Sequence, residues 1–122
     1  MEESTESTVS RTVSSKDVVR YSAPELLETN NVSPTTYSDT YAFAMLILEC
    51  TTEEPPFSSL SSDAAVIHAR ITKRQHPPRP DGQDERGRVS DGLWDFMMRC
   101  WSAKPDLRPT MEQVHTFFLY HA

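Results

Sequence analysis

Glycine is nearly missing from this chain: the 122 residues hold three, Gly82, Gly87 and Gly92, all in the C-terminal half. The sequence therefore offers no glycine-rich loop of the kind that lays backbone amides against a phosphate. Cysteine is as scarce, with only Cys50 and Cys100. Both sit inside strongly apolar helical patterns, so two buried free thiols are expected rather than a disulfide framework, and no His/Cys spacing suggests zinc. Basic residues are in deficit, 12 Lys and Arg against 18 Asp and Glu, for a formal charge of −6. That balance argues against a nucleic-acid surface, which needs clustered Lys and Arg. The short basic runs, Lys73-Arg74 and Arg86-Gly87-Arg88, are broken up by Pro, Asp and Glu and read as solvated loops. No apolar run reaches the length that crosses a bilayer or marks a secretion signal, so cytoplasm or nucleus is the expected location.

What is there divides into a tail and a helical body. Residues 1–17 carry eight Ser and Thr, four acids, two bases and no aromatic. Such a segment buries too little to offset its ordering entropy and is expected to be disordered. Order is expected from Val18-Val19-Arg20-Tyr21. Ser22, Pro24 and Glu25 together spell a helix start: a capping hydroxyl, a proline in the first turn and a carboxylate near the free amides.

Thr36 to Cys50 is the strongest element. Ser38 or Thr36 is placed to cap it, Asp39 lies where helix-end amides favour a carboxylate, and Tyr41 to Leu48 is apolar on every side, which predicts a central buried helix. Glu53-Glu54-Pro55-Pro56-Phe57 ends it, because proline cannot continue the ladder. In a domain this small such a helix needs most of the available covering material. Ser61-Ser62-Asp63 opens a third helix with a mixed face of Ala65, Val66, Ala69 and Ile71. Five Pro and Gly residues between His76 and Gly92 predict an exposed loop anchored at points. Ser90 caps a helix bearing Leu93, Phe96, Met97 and Cys100, with Trp94 and Trp101 enlarging its apolar side. Thr110 and Gln113 then form a capping-box pair for a last helix packed through Val114, Phe117, Phe118 and Tyr120. The fold class expected is mainly α.

Four segments in this order resemble the C-terminal lobe of the protein kinase superfamily, nearest its tyrosine-kinase-like and serine/threonine branches. They are Arg20-Tyr-Ser-Ala-Pro-Glu25, Ser38-Asp-Thr-Tyr-Ala-Phe-Ala44, Glu54-Pro-Pro-Phe57 and Cys100-Trp-Ser-Ala-Lys-Pro-Asp-Leu-Arg-Pro109. The resemblance covers roughly residues 17 to 120 and implies a partial lobe over 18–122 without the N-terminal lobe or catalytic loop. It implies a buried ion pair between Glu25 and Arg108, a structural role for Asp39 toward the catalytic-loop backbone, and substrate positioning near Arg20 and Tyr21. Read without it, Glu25 and Asp39 are helix-end acids, Tyr21 a packing residue and Arg108 a surface base. The chain departs from the family pattern at Asp17-Val18, where Gly-Thr is usual, and at Ala44, where glycine is usual.

Phosphoryl transfer needs positioned phosphates, metal ligands and an in-line hydroxyl. In the kinase family the glycine-rich loop, its lysine, the catalytic-loop Asp and Asn and Asp-Phe-Gly supply these, and all would precede Asp17. The expectation is no catalytic, cofactor or metal residue in this chain, with ATP and magnesium implied only for a complete parent. His68, His76, His115 and His121 form no nucleophile and base arrangement, and the acids Asp81, Asp84, Glu85 and Asp91 read as a solvated loop. Two functions follow: a kinase-domain fragment, itself inactive, whose parent phosphorylates protein Ser/Thr or Tyr hydroxyls, or a pseudokinase-like module that binds a protein or peptide partner through residues 76–92.

Overall fold

A computed structural model describes residues 19–28, 32–80 and 89–121. The expected tail over 1–17, the departure at Val18 and the middle of the loop, 81–88, lie outside them. The described chain includes the α-helices α1 (Pro24–Glu28), α2 (Thr36–Thr52), α3 (Asp63–Ile67), α4 (Asp91–Cys100) and α5 (Met111–His121), with residues 19–21 helical ahead of them. α3 runs on into a π-helical turn, His68–Thr72, and a 3-10 turn, Pro105–Leu107, precedes α5. The architecture is mainly helical, with no strand among the described residues.

α2 is the axle, touching α4, α5 and the 3-10 turn. Its cap is Thr35, rather than the Thr36 or Ser38 expected. Thr35 Oγ1 accepts from the Ser38 amide at 3.2 Å, and Ser38 Oγ accepts from the Thr35 amide at 2.8 Å. Ser38 thus answers the cap from the third helical position, which satisfies two otherwise orphaned amides at once. Glu53 closes the helix in a left-handed conformation, φ 64°, with its amide bonded to the Glu49 carbonyl. α1 opens at Pro24, with Ala23 contributing the carbonyl that the Leu26 amide donates to. Ser62 caps α3 and Ser90 caps α4, each accepting from an amide three residues on. Thr110 and Gln113 exchange bonds of 3.1 and 2.8 Å ahead of α5.

The core gathers Tyr41, Ala44, Met45 and Leu48 of α2, Val66, Phe96, Met97 and Cys100 of α4, Trp101 and Val114, and Ala69 is buried as well. Phe96 stacks on Phe117 at 4.1 Å between ring centres, and Phe118 meets Phe43 edge to face at 6.2 Å, stitching α5 to α4 and α2. Ala44 is fully buried, so its methyl is packed within the core.

Two expectations need correction. Cys100 is buried but Cys50 is exposed. α2 is not buried all round either: Asp39, Leu46 and Cys50 are exposed, and Ala42 and Glu49 between them are only half-buried. Steps of three and four place these residues along one stripe of the helix. The physical reason is the shortage of covering material: α4 and α5 lie against other parts of α2, and on this side the Tyr21 hydroxyl reaches Glu49 while Asp39, Leu46 and Cys50 stay exposed.

Candidate functional site

The segment from Val19 to Glu25 buries Val19 and Ala23 in the core and is held in addition by three arginines. Arg20 lies within it, 4 % exposed, and its guanidinium donates to the carbonyls of Pro56 at 2.9 Å, Phe57 at 2.8 Å and Leu60 at 2.6 Å. Those carbonyls belong to the turn after α2, where Phe57 takes a left-handed conformation, φ 58°. Such a backbone state is unfavourable for a bulky residue. Charge-assisted bonds to three neighbouring carbonyls, together with burial of the Phe57 ring, hold it in place. Arg20 therefore acts on this segment by tying it to the 56–60 turn, with its charge turned inward.

Tyr21 is half-buried, and its hydroxyl donates to the Glu49 carboxylate of α2. Glu25 stands in the first turn of α1 and meets Arg108 across 83 residues of sequence in a fork-to-fork pair, both bonds 2.9 Å. The Arg108 side chain is 0 % exposed and that of Glu25 21 %. Arg108 also donates through Nε to the Ser102 carbonyl at 2.9 Å and through Nη1 to the Tyr37 carbonyl at 3.2 Å, and it lies 4.8 Å from the centre of the Tyr41 ring. Each nitrogen of the guanidinium has a partner, which is what makes a buried arginine tolerable. Burial alone would raise the Glu25 pKa. The bonds from Arg108, its own backbone amide and the charges of Arg108 and Arg70 outweigh that and hold it below the ordinary carboxylate value.

The third arginine is one that the sequence reading passed over. Arg70, in the π-helical turn, is 2 % exposed and donates to the Val19 carbonyl at 2.7 Å. Its guanidinium lies 5.3 Å from the Tyr41 ring centre and 5.8 Å from that of Phe57. Val66 and Ala69, its neighbours on the same face, are also buried. That shared face was the available signal, but a basic residue beside Lys73-Arg74 reads as solvated unless the π turn that rotates it inward is known.

Asp39 is exposed on the bare stripe of α2, and its amide bonds to the Thr35 carbonyl as part of the helix start. The structure brings Val19, Arg20, Glu25, Arg70 and Arg108 into one clamp and leaves Asp39 apart from it. Of the expected loop, Arg79 is an anchor point, donating at 2.7 Å to both the Val89 carbonyl and the Asp91 carboxylate. Cys100 is pushed up to about 12 by burial, so its thiol is neutral.

Among known proteins, a family model described as protein tyrosine and serine/threonine kinase matches residues 1–118. The chain is 29% identical over 114 residues to mouse ankyrin repeat and protein kinase domain-containing protein 1, covering 93% of this chain and 15% of the relative. It is 33% identical over 97 residues to the human proto-oncogene tyrosine-protein kinase ROS, covering 79% of this chain and 4% of the relative. With mouse receptor-interacting serine/threonine-protein kinase 4 it shares 29% over 96 residues, covering 79% of this chain and 12% of the relative. The chain thus spans a small part of the length of each.

Proposed function

The chain belongs to the protein tyrosine and serine/threonine kinase family, and we propose that it is the helical scaffold of a kinase C-terminal lobe. It holds the peptide-positioning segment around Arg20 and Tyr21, while phosphate transfer from ATP to a protein Ser, Thr or Tyr hydroxyl requires parts supplied by a longer parent. On this reading the chain by itself is catalytically silent. On this reading the described residues do not by themselves fit ATP and magnesium. No group of three His, Cys, Asp or Glu among the described residues converges on a metal position, and Arg20 and Arg108 are committed to carbonyls and to Glu25.

The bare stripe of α2 carries the proposal. A helix whose apolar run, Tyr41 to Leu48, leaves Leu46 49 % exposed is incompletely packed, and a further layer of the same domain over that side would complete its burial. Asp39 at the head of the stripe is then the acid that receives the catalytic-loop backbone.

Substitution separates the two sides of this helix. Leu46→Glu in the chain alone should change stability by no more than about 0.5 kcal/mol, as for a surface site. Met45→Glu, one residue earlier and fully buried, should unfold it. Joined to the preceding kinase-domain segments of a relative, the chain carrying Leu46→Glu should lose stability that the parent chimera has. If the chimera tolerates the charge as well as the isolated chain does, the stripe is an ordinary surface and the proposal fails.

A second reading, a non-catalytic protein-interaction module, is favoured by a groove of about 630 Å³ between the turn Glu53 to Ser59 and Pro77 to Pro80. It predicts capture of a protein partner that is abolished by changes at Pro77 to Pro80 and untouched by Leu46→Glu.

A further inference from the structure

Arg70 is held by one bond where it has capacity for five. Only Nη1 is matched, to the Val19 carbonyl, while Nε and Nη2 are buried without a partner. These two nitrogens carry the parallel N–H pair along the side of the guanidinium, the edge that accepts both oxygens of a carboxylate. A second buried donor, the Trp101 indole N–H, is also unmatched. Both residues line the same cavity of about 60 Å³, together with Tyr41 and, at its exposed rim, Arg74, Gln75 and His76. One water needs about 10–15 Å³, so the space admits a small polyatomic group.

The described carboxylates nearby are already taken. Glu25 feels the charge of Arg70, but both its oxygens bond Arg108 at 2.9 Å, and Glu28 pairs with Arg74 at 3.4 Å. A buried cation with an open fork, beside a second buried donor and under a rim with a further arginine, is an incomplete arrangement. We propose that Arg70 and Trp101 form the floor of a binding pocket for a single carboxylate, which takes the Arg70 fork with both oxygens and accepts in addition from the Trp101 indole. The planar two-donor edge fits this ligand, and its one negative charge balances the guanidinium.

NMR of the full chain tests this by following the Arg70 Nε–H and Trp101 indole N–H resonances during titration with sodium acetate, at neutral pH and with ionic strength held by sodium chloride. Both resonances should shift saturably with acetate and stay in place in the chloride reference. Trp101→Phe keeps an aromatic ring against His76 and Trp94 while deleting one donor; read at Arg70, it should weaken acetate about tenfold. Arg70→Lys keeps a cation and a donor for Val19 but removes the fork, and should abolish the response at Trp101. Should Arg70→Lys fail to fold, the Trp101→Phe titration still decides. A peptide with one Glu, set against its Gln counterpart, identifies the source: tighter binding than acetate assigns the pocket to an acidic polypeptide, and weaker binding to a free small carboxylate. Resonances that do not move, or that move alike in acetate and chloride, describe a water-filled cavity and overturn the proposal. Inorganic phosphate binding more tightly than acetate overturns it too.

Discussion

Arg108 sits in a proline-flanked turn, where a solvated base is the plain expectation, yet it makes two bonds to Glu25 and two more to carbonyls. Nothing in residues 104–109 taken alone reveals this. The pair became legible only through the resemblance to the kinase family, which implies residues 25 and 108 as partners, whereas Arg70 had no motif to expose it and was missed. Arg108→Leu strands a partly buried carboxylate, and because a fifth of the Glu25 side chain is exposed the cost should fall near the lower end of the roughly 3–5 kcal/mol seen when a buried pair is broken. In a double-mutant cycle with Glu25→Gln, read by urea unfolding, the coupling should reach at least about 1 kcal/mol; additive effects would deny the pair any joint role. The pKa of Glu25 is lower folded than unfolded, so its ionisation contributes stability that is fully present above the ordinary carboxylate value and is lost as pH falls through the folded value. Wild type should therefore lose its advantage over Glu25→Gln progressively on acidification below that range. The two thiols should part company as well. Exposed Cys50 should be alkylated by iodoacetamide in the native chain while Cys100, buried and neutral, is spared until the chain is unfolded. Mass spectrometry distinguishes the two, and equal labelling would contradict the burial of Cys100.

Helix existence was largely readable and helix ends less so. Thr35, Thr36 and Ser38 are all hydroxyl residues within four positions, and each can cap, so sequence alone cannot choose; geometry chooses Thr35, with Ser38 as its reciprocal partner. Thr35→Ala should cost about 1 kcal/mol and Thr36→Ala much less, a difference visible in thermal unfolding. If the two costs are reversed, the cap has been placed one residue early. The same ambiguity hid the exposure of Cys50. Where a helix is apolar on every side, periodicity cannot say which side is covered, and only the positions of α4 and α5 decide. The π turn after α3 left no mark that sequence periodicity detects, although its consequence, a buried Arg70, is large.

At the scale of the molecule, the three buried arginines and the bare side of α2 describe one object from two directions. The clamp ties the Val19 to Glu25 segment to the 56–60 turn, to Arg70 and to Arg108. The bare stripe lies on the central helix, where burial of one more face would add apolar stabilisation on the order of 25 cal/mol per Å² covered. The proposed scaffold, which positions without catalysing, accounts for both. Its most direct test is calorimetric titration of ATP with magnesium into the 122-residue chain, after cooperative thermal unfolding has shown the sample to be folded. No saturable heat is predicted; saturable, magnesium-dependent binding of ATP would contradict the account.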